Sequence, residues 1–265
     1  MCQLILTKSF DVFISQDGQT YRYLINNADF KSYVKIVKTD AETGKAVPYA
    51  GAGFQIYDPS GNLVTMMFTY PEATTIDTFY TAEDGSLITP QKLPSGKGYS
   101  LVEVQAPYGY VLNPEPVSFD VVQEDSEEEG GVTVVVVERP NLAQKGRITI
   151  SKSGEIFHSV AESEGMYQPV FAVRGLEGAV YEIAAAEDIV TPEGTIRASK
   201  GEVVDTVTTD GDGMAKSKEL YLGRYEVRET EAPFGYVRSG KAYEVELVYA
   251  GQETSVTETA ADVYD

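Results

Sequence analysis

Residues 99–110 read YSLVEVQAPYGY, and residues 225–236 read YEVRETEAPFGY. Taken as strands, the first stretch puts Tyr99, Leu101 and Glu103 on one face and Ser100 and Val102 on the other. The second puts Tyr225, Val227 and Glu229 together, opposite Glu226 and Arg228. A carboxylate therefore shares a face with two large apolar groups, and it does so twice. The same parity holds upstream. In YVKIVK (33–38) Val34, Ile36 and Lys38 share a face, and in RITISK (147–152) Ile148, Ile150 and Lys152 do. Each copy offers one inward lysine and one inward glutamate. A lone buried charge is costly, so the two are expected to meet. Taken alone, such a pair reads equally as a buried salt bridge or as edge residues reaching water.

The doubling extends along the chain. YAGAGFQI (49–56) matches LEGAVYEI (176–183), and TAEDGS (81–86) matches TDGDGM (209–214), a turn signature before a strand. Lys38 to Gly51 is 13 positions and Lys152 to Gly178 is 26, so the second copy carries one large insertion. From that glycine to the glutamate the copies agree, 52 positions against 51. Two similar domains follow, 31–143 and 144–265, joined near NLAQKGR (141–147). Asn141 lies 11 positions before Lys152, and Asn27 lies 11 before Lys38. Residues 1–30 are accordingly expected to be the tail of a preceding domain or a linker, and the chain to be cut from a longer array.

Short runs rich in Val, Thr and Tyr between polar turns, with no long amphipathic helix, predict an all-β protein of tandem β-sandwiches. QEDSEEEGG (123–131) is expected to be a solvated hairpin loop. EDIVTPEGTIRASKG (187–201) has room for one helical turn, limited by Pro192 and Gly194. Pro140 is expected to break the strand before Asn141.

The 265 residues carry a net charge of −20, which argues against nucleic acid and anionic membrane as partners and favours a solubility role for the charge. The single cysteine, Cys2, allows no internal disulfide. MCQLILTKSF has neither the basic start nor the apolar length of a signal peptide, and the longest aliphatic run, VVVV (134–137), is far short of a membrane span. Export and anchoring signals are expected outside this chain, with no membrane contact by this segment. The aspartates of TDGDG lack calcium-loop spacing, and His158, the only histidine, has no second histidine to work with, so no metal and no cofactor are expected. No nucleophile elbow, Cys/His pair or phosphate loop is present, and LPSGK (93–97) reads as a turn.

The ordered set GAxF, TxxDG and ExxAPxGY, present twice, resembles the Cna B-type, SpaA-type prealbumin-like domains of Gram-positive surface proteins and pilins, over about residues 31–265. That resemblance implies tandem prealbumin-like sandwiches, Ig-like and transthyretin-like in build. It also implies an amide formed once, without turnover, between a first-strand lysine and a last-strand asparagine or aspartate, promoted by a buried glutamate. Carried over by motif, the lysines are Lys38 and Lys152, the glutamates Glu103 and Glu229, and the acceptors Asn141 and Asp265. Asn27 would be the acceptor of the preceding domain. Closure at Asp265, the last residue, is expected to be partial and to become fuller with native downstream residues. The implied role is a stalk module on the cell wall, not an enzyme and not a polymerising shaft, with neighbouring domains of the same chain as partners. A rival reading is direct adhesion to a host matrix protein or glycan through MMFTYPEATTIDTFY (66–80), whose other reading is core packing.

Overall fold

A computed structural model describes residues 29–264, together with Gly18; Asn27 and Asp265 lie outside the described residues. The first half contains β1 (Lys31–Asp40), β2 (Gly53–Tyr57), β3 (Met66–Phe68), β4 (Thr74–Ile76), β5 (Phe79–Tyr80), β6 (Ser86–Ile88), β7 (Leu93–Pro94), β8 (Gly96–Gln105), β9 (Val117–Val121), β10 (Ser126–Glu129) and β11 (Val132–Asn141). The second contains β12 (Lys145–Ser163), β13 (Met166–Gly175), β14 (Val180–Ala185), β15 (Ile189–Val190), β16 (Ile196–Ala198), β17 (Val203–Thr208), β18 (Met214–Lys216), β19 (Leu220–Tyr221), β20 (Gly223–Glu231), β21 (Ala242–Leu247) and β22 (Val256–Tyr264). One 3-10 turn, Gln123–Asp125, interrupts an otherwise all-β chain among the described residues.

Each half is a sandwich of two sheets. In the first, β10-β11-β1-β6 faces β5-β2-β8-β9. In the second, the sheet built on β12 faces β17-β14-β20-β21. First and last strands run parallel in both, β1 beside β11 and β12 beside β22. The inward parity of the sequence forms the two cores. Val34, Ile36, Phe54, Tyr99 and Leu101 fill one, and Ile148, Ile150, Tyr181, Tyr225 and Val227 fill the other.

The repeated motifs have repeated work. The Thr81 hydroxyl accepts the Ala52 N–H and donates to the Tyr49 carbonyl, tying the GAxF segment to the turn that follows β5. Thr209 does the same with Ala179 and Leu176. The DG glycine lets the turn close against the lysine strand. Gly85 has φ 76° and accepts the Lys38 N–H at 2.9 Å, while Gly213 has φ 77° and accepts that of Lys152 at 2.8 Å. A Cβ at Gly85 would lie 1.8 Å from the Val47 carbonyl oxygen.

Several expectations are corrected. The stretch 187–201 forms no helical turn; Pro192 and Gly194 sit in the tight connection of the β15–β16 hairpin. Part of the acidic run is a strand, because β10 pairs with β11, with Glu127 and Glu128 exposed and Glu129 half-buried. Pro140 does not end β11: it sits opposite Thr39, and pairing continues to Asp40 opposite Asn141. MMFTYPEATTIDTFY divides between the two readings, with Met66 and Phe79 in the core and Met67, Tyr70 and Tyr80 exposed. The second-copy insertion is a ribbon in which β13 pairs along the outer half of β12, with His158 exposed at its bulge.

The sandwiches meet end to end across a polar joint. Arg197 reaches Asp40 at 3.4 Å, Glu42 at 3.1 Å and Glu193 at 3.1 Å. Lys145 pairs with Glu42 at 2.8 Å. The Tyr110 hydroxyl lies between Glu193, at 2.8 Å, and Asp40, at 3.1 Å.

Candidate functional site

Lys38 and Glu103 come from opposite sheets and meet in the core of the first sandwich. Both side chains are completely buried, with Lys38 Nζ 3.8 Å from Glu103 Oε1. Asn141, at the end of β11, closes the group: its Nδ2 donates to Glu103 Oε2 at 2.7 Å and to the Val111 carbonyl at 2.8 Å. The Lys38 amine donates to the Arg139 carbonyl at 2.6 Å and so is held on the acceptor strand. The Asn113 N–H, at 3.0 Å, fixes the second carboxylate oxygen. Glu103 Oε1 and Asn141 Oδ1 are buried without a hydrogen-bond partner.

Burial sets the protonation states. It pushes the Lys38 amine down to about 8, against the opposing pull of the Glu103 charge. Burial likewise pushes the Glu103 carboxyl up, against Lys38. Both shifts favour the neutral amine and the neutral acid, the forms needed for acyl transfer from an amide.

The second sandwich repeats the arrangement. Lys152 and Glu229 are both completely buried and lie 3.1 Å apart. The Ser239 N–H holds Glu229 Oε2 at 2.6 Å, in the place of Asn113, and the Tyr181 hydroxyl donates to Oε1 at 3.4 Å. The structure thus brings together Lys38, Glu103 and Asn141, and pairs Lys152 with Glu229. The proposed acceptors Asn27 and Asp265 lie outside the described residues.

Sequence reasoning missed Arg139. Its guanidinium is buried and donates to the Asn113 carbonyl, bracing the loop that holds Glu103. The signal was present, since Val135, Val137, Arg139 and Asn141 share one parity and are all buried. In the second copy the residue opposite the lysine is Val263, so this brace belongs to the first site.

Comparison with known proteins agrees with this architecture. The family described as "SpaA: Prealbumin-like fold domain" matches residues 32–136 and 173–261. Among curated proteins, the fimbrial subunit type 1 of Actinomyces viscosus is 28% identical over 155 residues, which is 49% of this chain and 29% of that protein. Among solved structures, the Bacillus anthracis TIE protein is 23% identical, with a TM-score of 0.46 over 88% of this chain and 34% of its own. The major pilin subunit BcpA of Bacillus cereus is 14% identical, with a TM-score of 0.33 over 88% of this chain and 99% of its own. The chain thus spans about a third or less of the Actinomyces and Bacillus anthracis proteins.

Proposed function

The chain belongs to the SpaA prealbumin-like fold family, and from that membership we propose that it supplies structural modules of a Gram-positive surface stalk or pilus, stiffened by self-formed amide cross-links. One observation carries this reading. A lysine, a glutamate and an asparagine converge in a buried core, with Glu103 3.8 Å from the amine and 2.7 Å from the amide nitrogen.

Those contacts support the following chemistry. The neutral Lys38 Nζ attacks Asn141 Cγ. The Cγ–Nδ2 bond breaks, the new Nζ–Cγ bond forms, and Nδ2 leaves as ammonia. The amine gives up one proton and the departing nitrogen gains one. Glu103, touching Nδ2, carries it between them. Fixing amine and carbonyl in one core supplies a high effective molarity. The site is consumed in a single event. Lys152, Glu229 and Asp265 form the second set, in which a carboxyl acceptor expels water. Modules 31–143 and 144–265, exported and held at the cell wall, then transmit load through covalent links as well as through strand pairing.

Intact mass tests this. The parent should be lighter by one ammonia for the first site, and Lys38→Ala should abolish that loss. A well-folded parent without it would refute the assignment. The exposed Met67, Tyr70 and Tyr80 support a second reading, direct adhesion. That reading requires host matrix binding that falls in a Tyr70→Ser, Tyr80→Ser variant.

A further inference from the structure

The two copies of the APxGY loop have different surroundings. In the first, Ala106, Gly109 and Tyr110 are buried beneath the second sandwich, and the Tyr108 ring lies 4.6 Å from that of Tyr249. The Ala106 N–H donates to Gln252 Oε1 at 2.8 Å, across the same joint. In the second copy Pro233 is buried and Tyr236 half-buried, but the tip of the loop is open. Phe234, the counterpart of Tyr108, is 103% exposed, and Val237, the counterpart of Val111, is 88% exposed. An aromatic standing wholly in water on a tight loop has no role in its own sandwich.

The rest of that end is enlarged. In the first copy the end of β1 and the turn after it carry Asp40 and Glu42, which grip Arg197 and Lys145 of the next sandwich. In the second copy the corresponding position holds the β12–β13 ribbon, turned at Glu164–Gly165. Its pairing register places Phe157, Val160, Tyr167, Phe171 and Val173 on one face. All five are exposed, from 53% at Phe171 to 70% at Tyr167. The Tyr236 hydroxyl donates to the Glu155 carbonyl at 2.7 Å, binding the ribbon base to the APFGY loop. Loop and ribbon therefore form one end, with five exposed apolar side chains on the ribbon, and Glu155 and Glu162 share their face. β22 runs parallel to β12 with Tyr264 opposite Ser153 at the ribbon base, as β11 runs parallel to β1 with Asn141 opposite Asp40 beside the first joint.

We infer that this end, Phe234 and Val237 with that face of the ribbon, is the seat of a further prealbumin-like sandwich following in the same polypeptide. The internal repeat supplies the argument: the same loop, beside the same end of a parallel last strand, is already a seat once in this chain. Charge opposes the alternative occupant, a second copy presenting its first sandwich. There the position of the Tyr249–Gln252 loop is taken by Gln123–Gly131, which has five acidic residues and no aromatic. It would meet Glu155, Glu162 and Glu164 on the ribbon. The following sandwich must instead offer apolar or aromatic side chains at its near end.

The inference rests on the stalk reading, in which modules follow one another, and not on cross-linking, which intact mass reads separately on the same sample. The experiment compares hydrogen exchange in this 265-residue chain with that in the native protein extended through the residues after Asp265. Amides of 166–174 and 233–238 should exchange about tenfold or more slowly in the extended protein. A Phe171→Ser, Phe234→Ser variant of it should lose that protection while β14 and β20 stay protected. Equal exchange in the two chains, or a native sequence encoding no sandwich after Asp265, would overturn the inference. So would protection that grows with concentration of the short chain alone, since a second copy would then be the occupant.

Discussion

At the scale of single residues, Glu103 is the group on which the chemistry turns, because it alone touches both the amine and the amide. Glu103→Gln preserves size and keeps an acceptor for Asn141, but loses the transferable proton. The first sandwich should then fold without the mass loss; a normal cross-link in this variant would remove Glu103 from the mechanism. Burial of Lys38 makes a second test. In Asn141→Ala no bond forms, yet lysine and glutamate remain. The unfolded chain holds the lysine proton to 10.5 and the folded chain releases it at about 8, so between these values the unfolded state binds more protons. Stability of Asn141→Ala should therefore rise with pH across that window, relative to Asn141→Ala, Lys38→Met. A flat difference in thermal midpoints would show that Lys38 titrates normally. These residues were legible because strand parity is two: Val34, Ile36 and Lys38 lie in line with one another, as do Tyr99, Leu101 and Glu103. Arg139 obeys the same parity, but nothing local to it shows that the Asn113 carbonyl will meet its buried guanidinium.

At the scale of elements, the DG turns show how the motif serves the site. Gly85 lets the turn deliver its carbonyl to the Lys38 N–H, and its φ of 76° puts any Cβ against Val47. Gly85→Ala should destabilise the first sandwich by more than about 1 kcal/mol, because both the conformation and the contact are forbidden to a side chain. Chemical denaturation checks this, and an unchanged midpoint would mean that the turn relaxes without disturbing β1. The turn was legible from its residues. The ribbon was not: the insertion showed in the count of 26 positions against 13, but no local rule says whether extra residues coil or pair. Nor did local rules place Pro140, whose strand continues because β1 pairs with Asn141 beyond it.

At the scale of the whole molecule, the joint makes two sandwiches one body. Arg197 answers three carboxylates, of which Asp40 and Glu193 have no side-chain exposure. Arg197→Ala removes the cation beside Asp40 and Glu193, while Glu42 keeps Lys145, and should cost the joint on the order of 3 kcal/mol. Scattering should then report a more extended, variable pair of modules, and calorimetry should resolve their unfolding. A single unchanged transition would place the coupling elsewhere. None of this joint could be read from sequence, since Asp40 and Arg197 are 157 positions apart and only docking brings them together. The cross-link acts at the same scale. Closing the chain from residue 38 to residue 141 corresponds to about 4–5 kcal/mol by loop entropy, which Asn141→Ala should forfeit. The most direct test is peptide mapping by tandem mass spectrometry of the folded chain. The account predicts a branched peptide in which the Lys38 side chain is joined to that of Asn141, with ammonia lost. Recovery of the two peptides only as separate, unmodified species would contradict it.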